Sequence, residues 1–171
     1  LAQSGSPSAY PVLLKAAKDV LYGWEPTGAT ASLLNYAKVI AQNGDIKTMD
    51  KICKLIISKC DDNSNIQNKT AALDIYAGFH GIDAIGKLIK AASHENYTYR
   101  SAAMRMSLAI PGAEVVNKWI AYFPDAIPDA KPEIITMLGI RGDETALPLI
   151  NASLSDQDLN VRREASESLV K

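Results

Sequence analysis

Residues 141–171 read RGDETALPLINASLSDQDLNVRREASESLVK, and residues 4–17 read SGSPSAYPVLLKAA. Laid over one another, Gly5 falls on Gly142, Ala9 on Ala146 and Pro11 on Pro148, with aliphatic residues following in both. One phrase near both ends of a chain points to a repeated unit. The proline suits the first turn of a helix, where the main-chain N–H groups have no intrahelical partner to lose. Deeper in, it would bend or break the helix.

Working outward, glycines at 5, 44, 81, 112 and 142 each follow a helical pattern, at intervals that shorten gradually along the chain. A glycine there can take the left-handed conformation that closes a helix. N-cap or acidic first-turn residues come next: Ser6, Asp45, Asp83, Glu114 and Asp143. Apolar residues recur at i, i+3, i+4, i+7 in Met49, Ile52, Cys53 and Ile56, in Ala72, Ile75, Tyr76 and Phe79, and in Val116, Trp119, Ile120 and Phe123. Ile82, Ile85, Leu88, Ile89 and Ala92 extend the pattern. Between the two helical segments of each unit lies a polar break, at 22–28, 60–68, 93–98, 124–132 and 155–160. In the fourth unit the second helix is expected to begin at Pro132. Strand alternation is rare.

A two-helix unit that recurs from each of these glycines to the next is the pattern of a helical solenoid. One hairpin cannot bury both its faces, and stacking supplies the missing cover. The expected fold is therefore all-α, a right-handed α-α superhelix. It comprises five hairpins over residues 5–43, 44–80, 81–111, 112–141 and 142–171 of a single repeat domain spanning 1–171.

The last unit resembles a HEAT repeat, in the short bacterial HEAT-like form found in phycobilisome-lyase-type proteins. The matching residues are Ala146, Pro148, Leu149 and Ile150 in the first helix, Asp156 in the turn, and Val161, Arg162, Ala165 and Leu169 in the second helix. The resemblance is good over 142–171, fair over 81–111 and loose in the first two units. The fourth unit departs from it, with Ala130, Lys131 and Pro132 where the last has Val161, Arg162 and Arg163. What the resemblance implies is an armadillo-like architecture, not a chemistry.

Composition narrows the function. Nearly half of the 171 residues are apolar and the net charge is −1, which argues against a dedicated nucleic-acid binder. No apolar run approaches the roughly 20 residues of a membrane span. A secretory leader pattern is missing from the sequence, and cytoplasmic and exported locations both remain open. Cys53 and Cys60 lie seven residues apart on one helix, about 10.5 Å along its axis, too far for a disulfide. Without clustered histidines they make no zinc site. His80 closes a helix and His94 lies in a turn beside Glu95, which is weak ground for acid–base chemistry. No phosphate loop, nucleophile elbow or metal-binding helix motif occurs. No catalytic residue, metal or cofactor is expected.

One constellation stands out. Lys69, Arg100, Lys131 and Arg162 are evenly spaced, each near the start of a second helix. Asp125 and Asp156 share that spacing in the preceding turns, and His94 takes the equivalent place in the third unit. Stacking would align the bases in a row. Each base then either pairs with a turn aspartate and fixes the stacking, as HEAT repeats commonly do, or faces an acidic partner. Spacing locked to the repeat favours the first role. Tyr97, beside Arg100, and Trp24, between Gly23 and Glu25, are candidate interface anchors, whereas Tyr99 takes a core position.

The expected role is a protein-interaction or scaffold module that holds a protein partner, or an adjacent domain of the same chain, along the concave face of the array. Two alternatives stand beside it. One is the HEAT region of a larger bacterial envelope protein joined to a carbohydrate-active domain. The other is a HEAT-like enzyme of the bilin lyase or DNA glycosylase type, disfavoured because a glycosylase needs a basic groove. Residues 1–3 align with Leu138–Ile140, the tail of a second helix, and a further repeat could begin at Val170 and Lys171. Neither end looks like a polar cap, so we expect a piece of a longer protein, with self-association through the ends open to it.

Overall fold

The computed structural model describes residues 2–170; Leu1 and Lys171, the outermost residues of the end-to-end alignment, lie outside the described residues. Among the described residues the regular structure is helical throughout, without strands. The chain forms two compact units, the first ending at His80 and the second beginning at Gly81.

The first unit holds α1 (Ala9–Asp19), α2 (Ala29–Gln42), α3 (Ile46–Lys59) and α4 (Ile66–His80). Pro11 is the third residue of α1, still within the turn that has no N–H to lose. The Asp45 carboxylate accepts a hydrogen bond from the Thr48 N–H at 3.0 Å and caps α3. Helix α2 packs against α1, α3 and α4. Its Leu33 and Ala37 are buried with Met49, Ile52, Cys53 and Ile56 of α3, the apolar stripe read from the spacing. Each such aliphatic side chain contributes about 1.5–3 kcal/mol through removal from water.

Helix α4 differs from its periodic reading. Ile66, Lys69, Ala72, Leu73, Tyr76 and Ala77 are buried, whereas Phe79 is exposed and Ile75 half-buried. The physical reason is that α4 packs on both α2 and α3, so its covered face is wider than one stripe and centred elsewhere.

The second unit holds α5 (Ile85–Ala92), α6 (Tyr97–Ala109), α7 (Ala113–Tyr122), α8 (Ala130–Arg141), α9 (Leu147–Ser153) and α10 (Leu159–Leu169), with 3-10 turns at Gly81–Ala84, Phe123–Asp125 and Glu144–Ala146. Helix α6 packs on α8 and α8 on α10, forming one layer. In the other, α5 packs on α7 and α7 on the 3-10 turn leading into α9. Trp119, Leu88, Ile134 and Leu138 are fully buried in this unit. Helix α8 starts at Ala130, two residues before the proline expected to begin it; Pro132 sits in its first turn, where the ring is tolerated.

Close approach of α8 to α10 rests on Gly139. A Cβ there would lie 2.3 Å from Ser168 Oγ and 2.5 Å from its Cβ, so only glycine fits without a shift. The five punctuating glycines all have positive φ. At Gly142 (φ 65°, ψ 22°) the left-handed conformation closes α8, its N–H bonding to the Leu138 and Gly139 carbonyls. No helix among the described residues is long and apolar enough to cross a membrane.

Candidate functional site

The start of α6 shows what the basic ladder does. Arg100 is 4% exposed. Its Nη1 donates to the His94 and Glu95 carbonyls, at 3.0 and 2.7 Å, and its Nε to Glu133 Oε1 of α8 at 3.1 Å. Its Nη2 lies 3.9 Å from Asp129. At the start of α10, Arg162 repeats the first part: Nη1 donates to the Asp156 and Gln157 carbonyls at 2.8 and 3.0 Å. Both guanidiniums therefore close the turn five and six residues upstream. Hydrogen bonds to a charged donor contribute about 1.5–3 kcal/mol each when the acceptors are buried.

The turns match in a second detail. His94 Nδ1 accepts from the Asn96 N–H at 3.0 Å, and Asp156 Oδ1 accepts from the Asp158 N–H at 2.8 Å. A main-chain N–H can only donate, so His94 Nδ1 is unprotonated here and stands in for the carboxylate.

The other two bases differ. Lys69 is buried and pairs with Asp61 of its own turn, not with an aspartate at the ladder's spacing. The Lys131 ammonium lies 5.4 Å from the Phe123 ring centroid, a cation–π geometry, and Asp125 is exposed with no ion pair among the described residues. Asp156 meets Arg162 through its carbonyl, not its carboxylate. Arginine's rigid planar fork spreads its donors over two carbonyls and a carboxylate at Arg100, whereas the compact ammonium of Lys131 rests over Phe123.

Helices α6, α8 and α10 line a groove of about 550 Å³. Leu108 and Ile140 supply its accessible apolar wall, with Met104 and Met137 buried behind them at 5% and 2% exposure. Tyr97, 65% exposed, stands at the groove with its ring 5.9 Å from the Arg100 guanidinium carbon. The ionisable lining comprises three arginines and four carboxylates. Arg163 donates from Nε and Nη2 to Glu164 Oε1, and Thr136 donates to Glu164 Oε2 at 2.8 Å. Burial pushes the Glu133 carboxyl above its ordinary range, against the hydrogen bond and charge of Arg100. Its second oxygen, Oε2, is buried with no hydrogen-bond partner.

Tyr97 and Arg100 thus join one site, with Lys131 and Arg162 near its edges but outside its lining. Lys69 and Trp24 belong to the first unit. Trp24 is 77% exposed on the loop between α1 and α2. There Leu21 and Tyr22 hold positive φ, and the Tyr22 carbonyl accepts from Asn68 Nδ2 at 2.8 Å. Tyr99 is core, with its ring edge-on to His94 at 5.1 Å.

Sequence reasoning missed three features. Glu133 lies two residues past the ladder position in the next helix, and testing each base against the following repeat would have found it. Arg141 clamps the turn between α6 and α7, donating to the Ser107 and Ile110 carbonyls at 2.8 Å and to that of Gly112 at 3.0 Å. His80 is the last residue of α4, the helix end read from the sequence, and in addition meets Asp50 of α3 at 2.6 Å through Nε2 and stacks on Tyr76. Cys53 and Cys60 are buried, and burial raises their thiols to about 12 and about 11, which leaves both protonated at neutral pH. No group of three or more metal-ligating side chains occurs among the described residues.

Comparison with models of known families, with curated proteins and with solved structures finds no match to this chain. Its chemistry has to be argued from the groove itself.

Proposed function

We propose that this chain is a non-catalytic protein-interaction module built from HEAT-like helical hairpins, and that it holds an extended segment of a partner protein in the groove of α6, α8 and α10. The observation that carries the proposal is the lining: leucine and isoleucine flanked by Tyr97 and by charged groups along three neighbouring helices. Ile140 is 55% exposed, and an exposed tyrosine beside arginine is the kind of pair that anchors interfaces. Helices ordered before binding lose little entropy on association. Carboxylates outnumber arginines in the lining, which speaks against a nucleic-acid backbone as the occupant.

The test uses an array of random nonapeptides and the intact chain. Tyr97→Ala and Ile140→Asp alter exposed positions, so folding should be retained. Each is expected to weaken binding of retained peptides by roughly tenfold or more. Retained peptides should also slow amide exchange in α6, α8 and α10. Binding that survives both substitutions would refute the groove as the site.

A further inference from the structure

Resting on that reading of the groove, we infer that its partner is a second copy of this chain, whose loop between α1 and α2 seats Leu21 and Trp24 between α6, α8 and α10.

That loop holds two large apolar side chains in water, Leu21 at 78% and Trp24 at 77% exposure. Among the described residues, Leu21 (φ 53°) and Tyr22 (φ 58°) are the non-glycine residues with positive φ, a conformation that L side chains disfavour. Strain of this kind persists only where the surroundings fix it. Here they do. Tyr22 is buried, and its carbonyl accepts from Asn68 Nδ2 at 2.8 Å and from Cys60 Sγ at 3.5 Å. The Leu21 and Tyr22 N–H groups donate to the Lys18 and Ala17 carbonyls at 2.9 and 2.8 Å. Beyond Trp24, the Glu25 carboxylate accepts from the Thr27 and Ala29 N–H groups and ties the loop to the start of α2. The loop is thus fixed on both sides of the two side chains it exposes. An anchor ordered in advance loses little entropy on docking, and tryptophan is prominent among residues that dominate interfaces.

Area and chemistry decide what covers it. A tryptophan buries about 150–250 Å². Two such loops meeting head-on would fall well short of the roughly 1,200 Å² of a stable interface. A groove encloses a side chain on several sides. The groove of α6, α8 and α10, at about 550 Å³, has the size of a site that encloses a small ligand, about 300–1,000 Å³. It offers the exposed Tyr97 ring, Ile140 and the half-buried Leu108 as apolar surface. The nine residues 20–28 lie outside the helices, so they can enter as a segment. An anionic bilayer suits the loop less well. A Cβ on Gly23 would lie 3.0 Å from Asn65 Oδ1, and Asn65 Nδ2 donates to the Asp62 carboxylate, which places negative charge beside the loop. Loop and groove belong to different units of the chain, so every copy offers both halves of a head-to-tail contact.

Sedimentation velocity of the intact chain, from low to high micromolar concentration, tests this. The sedimentation coefficient should rise with concentration. Trp24 emission should shift to the blue in step, because Trp119 is fully buried and changes little. Trp24→Ala and Ile140→Asp, both at exposed positions, should each weaken association by roughly tenfold or more. Mixed together, they should form a one-to-one pair and nothing larger, since one keeps the groove and the other the loop. Leu21→Gly removes a side chain and relieves the positive φ, so it should weaken association without lowering the melting temperature. A chain that stays monomeric throughout, yet still retains nonapeptides, would overturn the second copy and leave the groove reading standing. Association lost on Trp24→Ala but kept in Ile140→Asp would overturn the inference, as would a mixture that fails to pair. A blue shift produced only by phosphatidylserine vesicles would also overturn it and reassign the loop to lipid.

Discussion

Arg100 and Arg162 stand two ladder positions apart and close their turns through carbonyls at the same offsets, with His94 and Asp156 accepting main-chain N–H groups in matching places. Histidine and aspartate are chemically unlike, yet either offers an acceptor at the reach the turn requires. The same reasoning applies to Asp50, which links α3 to α4. Its carboxylate meets His80 Nε2 at 2.6 Å and Lys54 Nζ at 2.8 Å. Burial alone would raise its pKa, but these hydrogen bonds outweigh that and hold the carboxyl below the ordinary aspartate range. A group whose pKa is lowered on folding stabilises the fold above its unfolded value, about 3.9, and ceases to do so as pH falls through its folded value. Asp50→Asn should therefore cost about 1 kcal/mol at pH 7. The gap between the two urea midpoints should narrow by pH 3; a constant gap would show that the ionised pair contributes nothing.

At the scale of elements, helices and breaks were legible because their signals are local. Apolar periodicity marks a helix within about four turns, and glycine with a capping acid marks its end. Which face a helix covers is a different matter. Helix α4 buries Leu73 and leaves Phe79 exposed because two neighbours share its surface. Helix α8 comes close to α10 only because Gly139 lacks a Cβ. Gly139→Ala should therefore destabilise the chain by about 1–3 kcal/mol through overpacking on Ser168. Gly78 in α4 has open space around its would-be Cβ, and Gly78→Ala should stabilise by about 0.5–1 kcal/mol through helix propensity. Urea titration of both variants checks the contrast, which fails if the two shift the midpoint in the same direction.

At the scale of the whole chain, charge is the property that reaches furthest. With 18 basic and 19 acidic residues and a net charge of −1, and with carboxylates in excess along the groove, the occupant we propose is a polypeptide and not a phosphate backbone. A 20-base-pair DNA duplex at 50 mM salt should show no mobility shift with micromolar protein. A shift that weakens steeply with salt would reassign the groove to nucleic acid. Of the candidate site, Tyr97 and Arg100 were legible from type and spacing. Glu133, Met104 and Met137 were not, because nothing in their own neighbourhoods distinguishes them from ordinary helix residues.

By itself the sequence determined an all-helical chain, the places where helices stop, and the even recurrence of bases at helix starts, since each depends on interactions within a single hairpin. Tertiary structure alone decided that Arg100 is buried against Glu133 while Lys131 rests on Phe123, and that three helices leave a groove with an unpaired carboxylate oxygen beside it. The groups that meet there lie about a repeat apart, and whether they touch depends on how closely one helix approaches the next, which no local pattern encodes.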